Sequence, residues 1–283
     1  MPSSSNQLPL ISWVIPAHIP TDFLRLSINS CLNQTYNYQE VIVVANGLHA
    51  NEIKDLVLSW FPREESLILL TLSIANLGNA LNFGIVRAKG KYILRLDSDD
   101  VAYTERASKQ VDLLENSRDI MMVSSAYFVV DGQGLPIKTC LDYSIRPSKI
   151  NRSLKQRNVV CHPSCAFRKQ VWTRLGGYRL FGLAEDYDLW VRMQSLYPNS
   201  IAHIQEPLIG FRNIGLETGA RKSPKRYAGV LFSQFLFFVD YPGFWILLGM
   251  LETICKLLLS FGMNILSSLE IRKLEGRNQS SQA

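Results

Sequence analysis

The amino-acid sequence predicts an α/β fold in which a mainly parallel central sheet is flanked by helices. Three observations carry that prediction. Short apolar runs alternate with amphipathic stretches through the first part of the chain. The runs are apolar on both faces, as strands covered on two sides must be. A cluster of acids also follows one of them directly. Of the 283 residues, 47% are hydrophobic and 19% charged, which suffices for a core and excludes a disordered chain. Collagen, coiled coil, solenoid, disulfide knot and polytopic membrane protein do not fit this pattern. An enzyme-sized domain remains.

The elements follow in order. Leu10–Ile15 reads as a strand and Thr21–Asn33 as a helix with Thr21 or Asp22 at its N-cap. Val41–Val44 is β-branched throughout, hence a buried strand, and Ala50–Trp60 is helical. Leu67–Leu72 is a strand, Leu77–Ala88 has helical spacing ending at Gly90, and Tyr92–Leu96 is the fourth strand. Beyond these come a helix at Thr104–Asn116, a long strand at Met121–Val130 and a turn at Asp131–Gly134 leading into another strand. Ser148–Arg157 is helical, and Pro163–Phe167 is a short extended piece. The helix Arg168–Leu175 is stopped by Gly176 and Gly177. Ala184–Leu196 is the best amphipathic helix, ended by Pro198, and two late strands follow at Ile201–Gln205 and Leu208–Arg212. The catalytic unit is expected over residues 1–220, with its halves at about 9–100 and 101–215. A basic linker and apolar helices should then occupy 221–283.

Thirty basic against 24 acidic residues leave a net charge of +6, a modest excess that does not call for a nucleic-acid partner. The five cysteines, Cys31, Cys140, Cys161, Cys165 and Cys255, are odd in number and scattered, which reads as reduced thiols in a cytoplasmic protein. The opening MPSSSNQLPL has neither a basic stretch nor an apolar run, so secretion is not expected.

Two acidic clusters carry the chemistry. Asp97-Ser98-Asp99-Asp100 follows the strand KYILRL, at the end of a parallel strand where open α/β sheets bind ligands. Asp97 and Asp99, two residues apart on an extended segment, can jointly hold Mg2+ or Mn2+ through oxygen. Such an ion would neutralise charge building on a departing diphosphate. Otherwise the motif is a solvated loop before the next helix. The second cluster, Glu185-Asp186-Tyr187-Asp188, opens the amphipathic helix, where carboxylates also simply complement the helix dipole. Held in a cleft, Asp186 would take the proton of an attacking hydroxyl. Trp190, one turn on, is either a core residue or a face on which a sugar ring stacks. Arg95 either balances the acidic loop or reaches a phosphate. Cys161, His162 and Cys165 lack the second ligand pair that zinc would need. No GxGxxG or GxxxxGK[ST] occurs, which disfavours a dehydrogenase and a P-loop NTPase.

SWVIPAH, SCLNQTY, EVIVVANG, NLGNALNFGIVRAKGKYILRLDSDD, ERASKQ and LAEDYDLWVRM fall in an order and spacing that resembles the family-2 inverting glycosyltransferases with a GT-A fold, over about residues 9–212. The resemblance implies a nucleotide-binding α/β half joined to an acceptor-binding half. It implies Asp97 and Asp99 as the metal and diphosphate motif, with Mn2+ or Mg2+ as cofactor, and Asp186 as catalytic base. Pro16, Ala45, Asn46, Asn76, Arg95 and Asp97 would lie on the donor side. Glu185, His162, Trp190 and Arg212 would support the acceptor or the diphosphate. Relatives commonly read VDDGS where this chain has VVANG; Ala45 and Asn46 stand in place of the two acids, and Asn46 still offers a donor and an acceptor. No QxxRW motif follows the base, which disfavours a processive synthase.

The expected activity is transfer of one sugar, with inversion, from a nucleotide-diphosphate sugar to a hydroxyl of a glycan or lipid-linked acceptor in cell-envelope polysaccharide synthesis. A non-catalytic sugar-nucleotide-binding or scaffold protein of the same fold is the alternative, and the intact Asp97, Asp99 and Asp186 speak against it. At the C-terminal end, Phe244–Leu269 as a helix would be on the order of 40 Å long, enough to cross a bilayer. Glu252 and Lys256 oppose a crossing, at about 2.5–3.5 kcal/mol each near its centre. Basic residues flank both sides, Arg221 to Arg226 and then Arg272, Lys273 and Arg277. Helices lying at the cytoplasmic face of a membrane fit this pattern better than a single span; packing against the domain is the other reading.

Overall fold

The computed structural model describes residues 8–140, 146–179, 184–212, 224–240 and 242–260. Four strands build its parallel part: β1 (Ile11–Ala17), β2 (Gln39–Asn46), β3 (Leu67–Leu72) and β4 (Tyr92–Arg95). They are joined by α1 (Asp22–Leu32), α2 (Ala50–Trp60) and α3 (Leu77–Arg87). β1 pairs in parallel with both β2 and β4, and β2 with β3. The strand order therefore reverses beside β1, which opens a crevice between β1 and β4 at their carboxyl ends.

The sheet then continues as a mixed one. A two-residue strand, β5 (Val101–Ala102), precedes α4 (Arg106–Asn116), β6 (Met122–Val130), β7 (Pro136–Cys140) and α5 (Pro147–Leu154). A single 3-10 turn at His162–Ser164 leads to β8 (Ala166–Arg168), α6 (Lys169–Arg174), α7 (Glu185–Leu196) and β9 (Ile201–Arg212). The path runs β3-β2-β1-β4-β8-β6-β9-β5, with β7 on β6. Antiparallel β8 lies between β4 and β6 and joins the two halves into one sheet. The two late strands expected at Ile201–Gln205 and Leu208–Arg212 are one strand, whose parallel register to β6 slips between Ser125 and Tyr127 where Pro207 stands opposite. A proline lacks the amide to keep the ladder regular, so the strand bulges without ending. The extended piece expected from Pro163 is instead the 3-10 turn, and only its last residues pair.

Alternate residues of the strands feed two cores. Val14, Ile42 and Val44 pack with α3, α5 and α7, while Trp13, Ile15, Val41 and Val43 pack with α1, α2 and α4. Gly84 of α3 lies where an added Cβ would stand 2.8 Å from Val14, which is why the helix can seat closely on the sheet. Gly176 and Gly177 end α6 with φ of +74° and +75°, their amides donating to Thr173 and Trp172.

The C-terminal helices α8 (Pro224–Asp240) and α9 (244–260) rest on the α5 and α7 side. Gln234 donates to the Gln156 carbonyl at 2.8 Å, and Gly249 sits against Lys155 and Gln156. Among the described residues no helix is long and apolar enough to cross a membrane. The remainder of the stretch expected to reach Leu269, with Arg272, Lys273 and Arg277, lies outside the described residues, as do Arg221 to Ser223 of the basic run.

Candidate active site

At the switch point between β1 and β4 lies a cleft of about 620 Å³. Its walls are the turn after β1 (Pro16, His18, Ile19), the start of α1 (Thr21, Phe23), the end of β2 (Asn46), the start of α3 (Ala75 to Leu77) and the loop after β4 (Asp97 to Asp99). Each wall is held from behind. The Asn76 carboxamide caps α3 by accepting from the Asn79 amide at 2.9 Å. Asn46 donates its side-chain nitrogen to the Ala17 carbonyl at 2.9 Å and so ties β2 to β1. Gly47, at φ +83°, brings the β2 end so close to Ala75 that an added Cβ would approach that methyl to 2.9 Å.

The acidic loop is the site's electrostatic centre. Asp97, Asp99 and Asp100 place carboxylate oxygens within 4.8 Å of one another, and no other such His/Cys/Asp/Glu group occurs among the described residues. Asp97 is gripped by a two-pronged contact from Arg95, one prong measuring 2.8 Å, and the Ser27 hydroxyl donates to its carbonyl at 2.8 Å. Burial and the neighbouring charge of Asp97 push the Asp99 carboxyl above its ordinary range. The same two causes push Asp100 well up. Arg212, 3% exposed, backs this loop. Its amide donates to Asp100 at 2.8 Å, its Nε to the Asp99 carbonyl at 2.8 Å, and its guanidinium lies 4.2 Å from the Phe23 ring centre.

The second acidic cluster opens α7. Both oxygens of Asp186 accept hydrogen bonds at 2.7 Å, from the Asn158 side chain and from the Tyr187 amide. The neighbouring Glu185 is pushed up by burial and by the Asp186 charge, whereas Arg95 opposes that rise. Arg95 thus bonds Asp97, and its charge also bears on Glu185. His162 bonds the Tyr178 hydroxyl at 2.9 Å and meets the Trp190 ring edge-on at 5.7 Å. Burial, then the charge of Arg95, holds this histidine well below its ordinary pKa, in the neutral form.

The profile of Glycosyl transferase family 2 matches residues 12–175, more than half of the chain. The chain belongs to glycosyltransferase family 2. Among its relatives is the O-antigen biosynthesis glycosyltransferase WbnJ of Escherichia coli, 34% identical over 72% of this chain and 80% of that protein. Another is the UDP-Gal:alpha-D-GlcNAc-diphosphoundecaprenol beta-1,3-galactosyltransferase of Escherichia coli, 30% identical over 79% of this chain and 81% of that one. The fold is that of the mannosyltransferase PcManGT from Pyrobaculum calidifontis, solved with GDP-Man and Mn2+. It superposes with a TM-score of 0.63 at 16% identity, over 89% of this chain and 70% of that one. S. aureus TarS 1-349 in complex with UDP-GlcNAc superposes equally, at 0.63 and 14% identity, covering 89% and 71%. The GT-A architecture expected from the motifs is therefore present.

Within this family 2 glycosyltransferase, Pro16, Asn46, Asn76, Asp97 and Asp99 all line the cleft. Ala45 does not: it is fully buried on the α1 and α2 face, because strand alternation turns it away from the surface that Asn46 faces. Trp190 is likewise fully buried, in the core between α7 and its neighbours, and has no face to give a sugar. His162 is buried against Tyr178 and Trp190 and does not line the cleft. Arg95, 2% exposed, is committed to Asp97, and Arg212 is spent on the back of the acidic loop and on the Asp131 carbonyl. Neither guanidinium lines the cleft.

One residue of the acidic motif has no role of its own in the sequence reading, and three further residues with structural parts near it are not marked in that reading. Asp100 completes the acidic trio, and Asn158 orients Asp186. Arg106 and Gln110, one helical turn apart within ERASKQ, are fully buried. Arg106 donates to the Arg95 carbonyl at 2.7 Å and Gln110 to the Ser164 carbonyl at 2.7 Å, which pins the end of β4 to the segment before β8. A charged residue and an amide four apart in a helix, both facing inwards, was the available signal.

The acidic trio also fits a divalent cation. Three carboxylates crowd together, two of them with raised pKa. One oxygen of Asp100, its Oδ2, is buried without a hydrogen-bond partner. Surplus negative charge and a bare hard oxygen are what Mg2+ or Mn2+ accepts.

Proposed function

We propose that this glycosyltransferase moves a single sugar, with inversion, from a nucleotide-diphosphate sugar to a hydroxyl of a lipid-linked glycan, with Asp186 as general base. The observation that carries this reading is the carboxylate trio Asp97, Asp99 and Asp100 at the switch-point cleft, which Asp97 and Asp99 line. Asp97, Asp99 and Asp100 would hold Mn2+ or Mg2+. Such an ion, when bound, neutralises the growing charge of the diphosphate.

The nucleoside would occupy the cleft, whose lining includes the β1 turn, Asn46 and Asn76. Asp186 stands at the positive end of α7 and is held in place by accepting from Asn158 and from the Tyr187 amide. The acceptor oxygen bonds to the anomeric carbon as the bond from that carbon to the diphosphate oxygen breaks, and the acceptor proton passes to Asp186. The products are the glycoside and the nucleoside diphosphate. One in-line displacement inverts the anomeric centre and needs no covalent nucleophile. Support for the acceptor class comes from the relative whose name specifies a diphosphoundecaprenol acceptor.

Asp186→Asn should lower transfer by about 10²–10⁴-fold, the usual worth of a positioned base, while donor binding stays near wild type. Turnover of a nucleotide-sugar panel and calorimetric titration of the same donors measure the two quantities. Wild-type turnover in this variant would refute the base assignment.

A further inference from the structure

We infer that the outward face of α8 and α9 is a docking surface for an anionic lipid bilayer. Helix α9 is built the wrong way round for a water-facing element. Its buried stripe holds Ile246, Gly249, Thr253 and Ser260, most of them small or polar. On the opposite face stand Phe244, Leu247, Leu248, Leu251, Leu258 and Leu259, and Leu251, Leu258 and Leu259 are each more than 60% exposed. The only charges over 244–260, Glu252 and Lys256, pair with each other at 2.5 Å on the flank between the two stripes. Phe232, Phe235 and Val239 of α8 extend the apolar surface. Eleven large apolar side chains of these two helices stand exposed, far beyond the scattered single residues of ordinary protein surfaces.

Charge decides the occupant. Lys225 and Arg226 open α8, Arg152 lies 5.7 Å from the Trp245 ring centre at the start of α9, and the sequence adds basic residues before and after both helices. Aromatic and aliphatic side chains rimmed by Lys and Arg match the acyl boundary and headgroups of an anionic leaflet. A two-fold pairing with a second copy would instead set one basic rim against another in a chain that already carries +6.

The surface is also tied to the site. Arg226, in the first turn of α8, has its charge bearing on Glu185. The segment after α5 bonds α8 through Gln156 and Asp186 through Asn158. A bilayer under α8 and α9 therefore contacts helices bonded, through residues 156–158, to Asp186. The docking surface does not depend on the lipid-linked acceptor being correct, because the test below contains neither donor nor acceptor.

The test is flotation of the full chain with vesicles of phosphatidylcholine alone and of phosphatidylcholine mixed with phosphatidylglycerol. The wild type should float with the mixed vesicles and lose that binding in high salt. Leu251→Glu combined with Leu258→Glu, both at exposed positions, should cut flotation by about tenfold or more with an unchanged circular-dichroism spectrum and unfolding midpoint. Equal flotation of wild type and variant would overturn the proposal, as would a wild type that ignores both vesicles. A concentration-dependent dimer that the variant abolishes, without vesicle binding, would identify a second copy as the occupant and overturn it too.

Discussion

Asp100 shows how one side chain sets the behaviour of the acidic loop. It is buried, accepts from the Arg212 amide with one oxygen, and leaves the other without a partner. Asp99 beside it is likewise pushed above the ordinary carboxylate range by burial and by Asp97. Protons and a divalent cation compete for these oxygens, so Mn2+ affinity should fall as pH is lowered, beginning above the pH at which exposed aspartates titrate. Calorimetry at neutral and mildly acid pH checks this, and a pH-independent affinity would count against the trio. Metal-free stability runs the opposite way with pH. A folded-state pKa above the unfolded one means that ionisation costs stability, a loss that starts at the unfolded pKa and is complete at the folded one. Asp100→Asn, which keeps an acceptor for the Arg212 amide, should therefore raise the metal-free unfolding midpoint at neutral pH while weakening Mn2+ binding.

Helix α7 serves the site from its first turn and the core from the rest. Glu185 and Asp186 stand where the helix dipole favours an anion, whereas Tyr187, Leu189, Trp190 and Met193 are fully buried. The acids were legible in the sequence because their type and place at a helix start are local properties. The role of Trp190 was not, since i, i+4 spacing says which residues share a face and not what that face meets. The structure puts it in the core. Trp190→Ala should accordingly cost about 3–5 kcal/mol of stability by denaturant unfolding. Trp190→Phe should be milder and leave the acceptor KM unchanged; a raised KM at wild-type stability would restore the stacking role.

For the molecule as a whole, the proposed function makes donor and metal partners in one binding event at the switch between β1 and β4. A nucleotide sugar at 100 times its Kd, with Mn2+ present, should stabilise the chain by about 2.7 kcal/mol, and Asp99→Ala should remove most of that gain. Thermal shift across nucleotide sugars, with and without Mn2+, measures it; equal shifts without the metal would argue for donor binding that bypasses Asp97, Asp99 and Asp100. The alternation of β1 to β4 with α1 to α3, the acidic motif after β4 and the glycine stop after α6 were determined by the sequence alone, because hydrophobic period, turn chemistry and capping act over a few residues. Only the tertiary structure decided that Asp100 completes the trio, that Ala45 turns into the core while Asn46 faces the cleft, and that Asn158, 28 positions away, holds Asp186. Those outcomes depend on which strands become neighbours and which face each residue turns inwards, and long-range packing settles both.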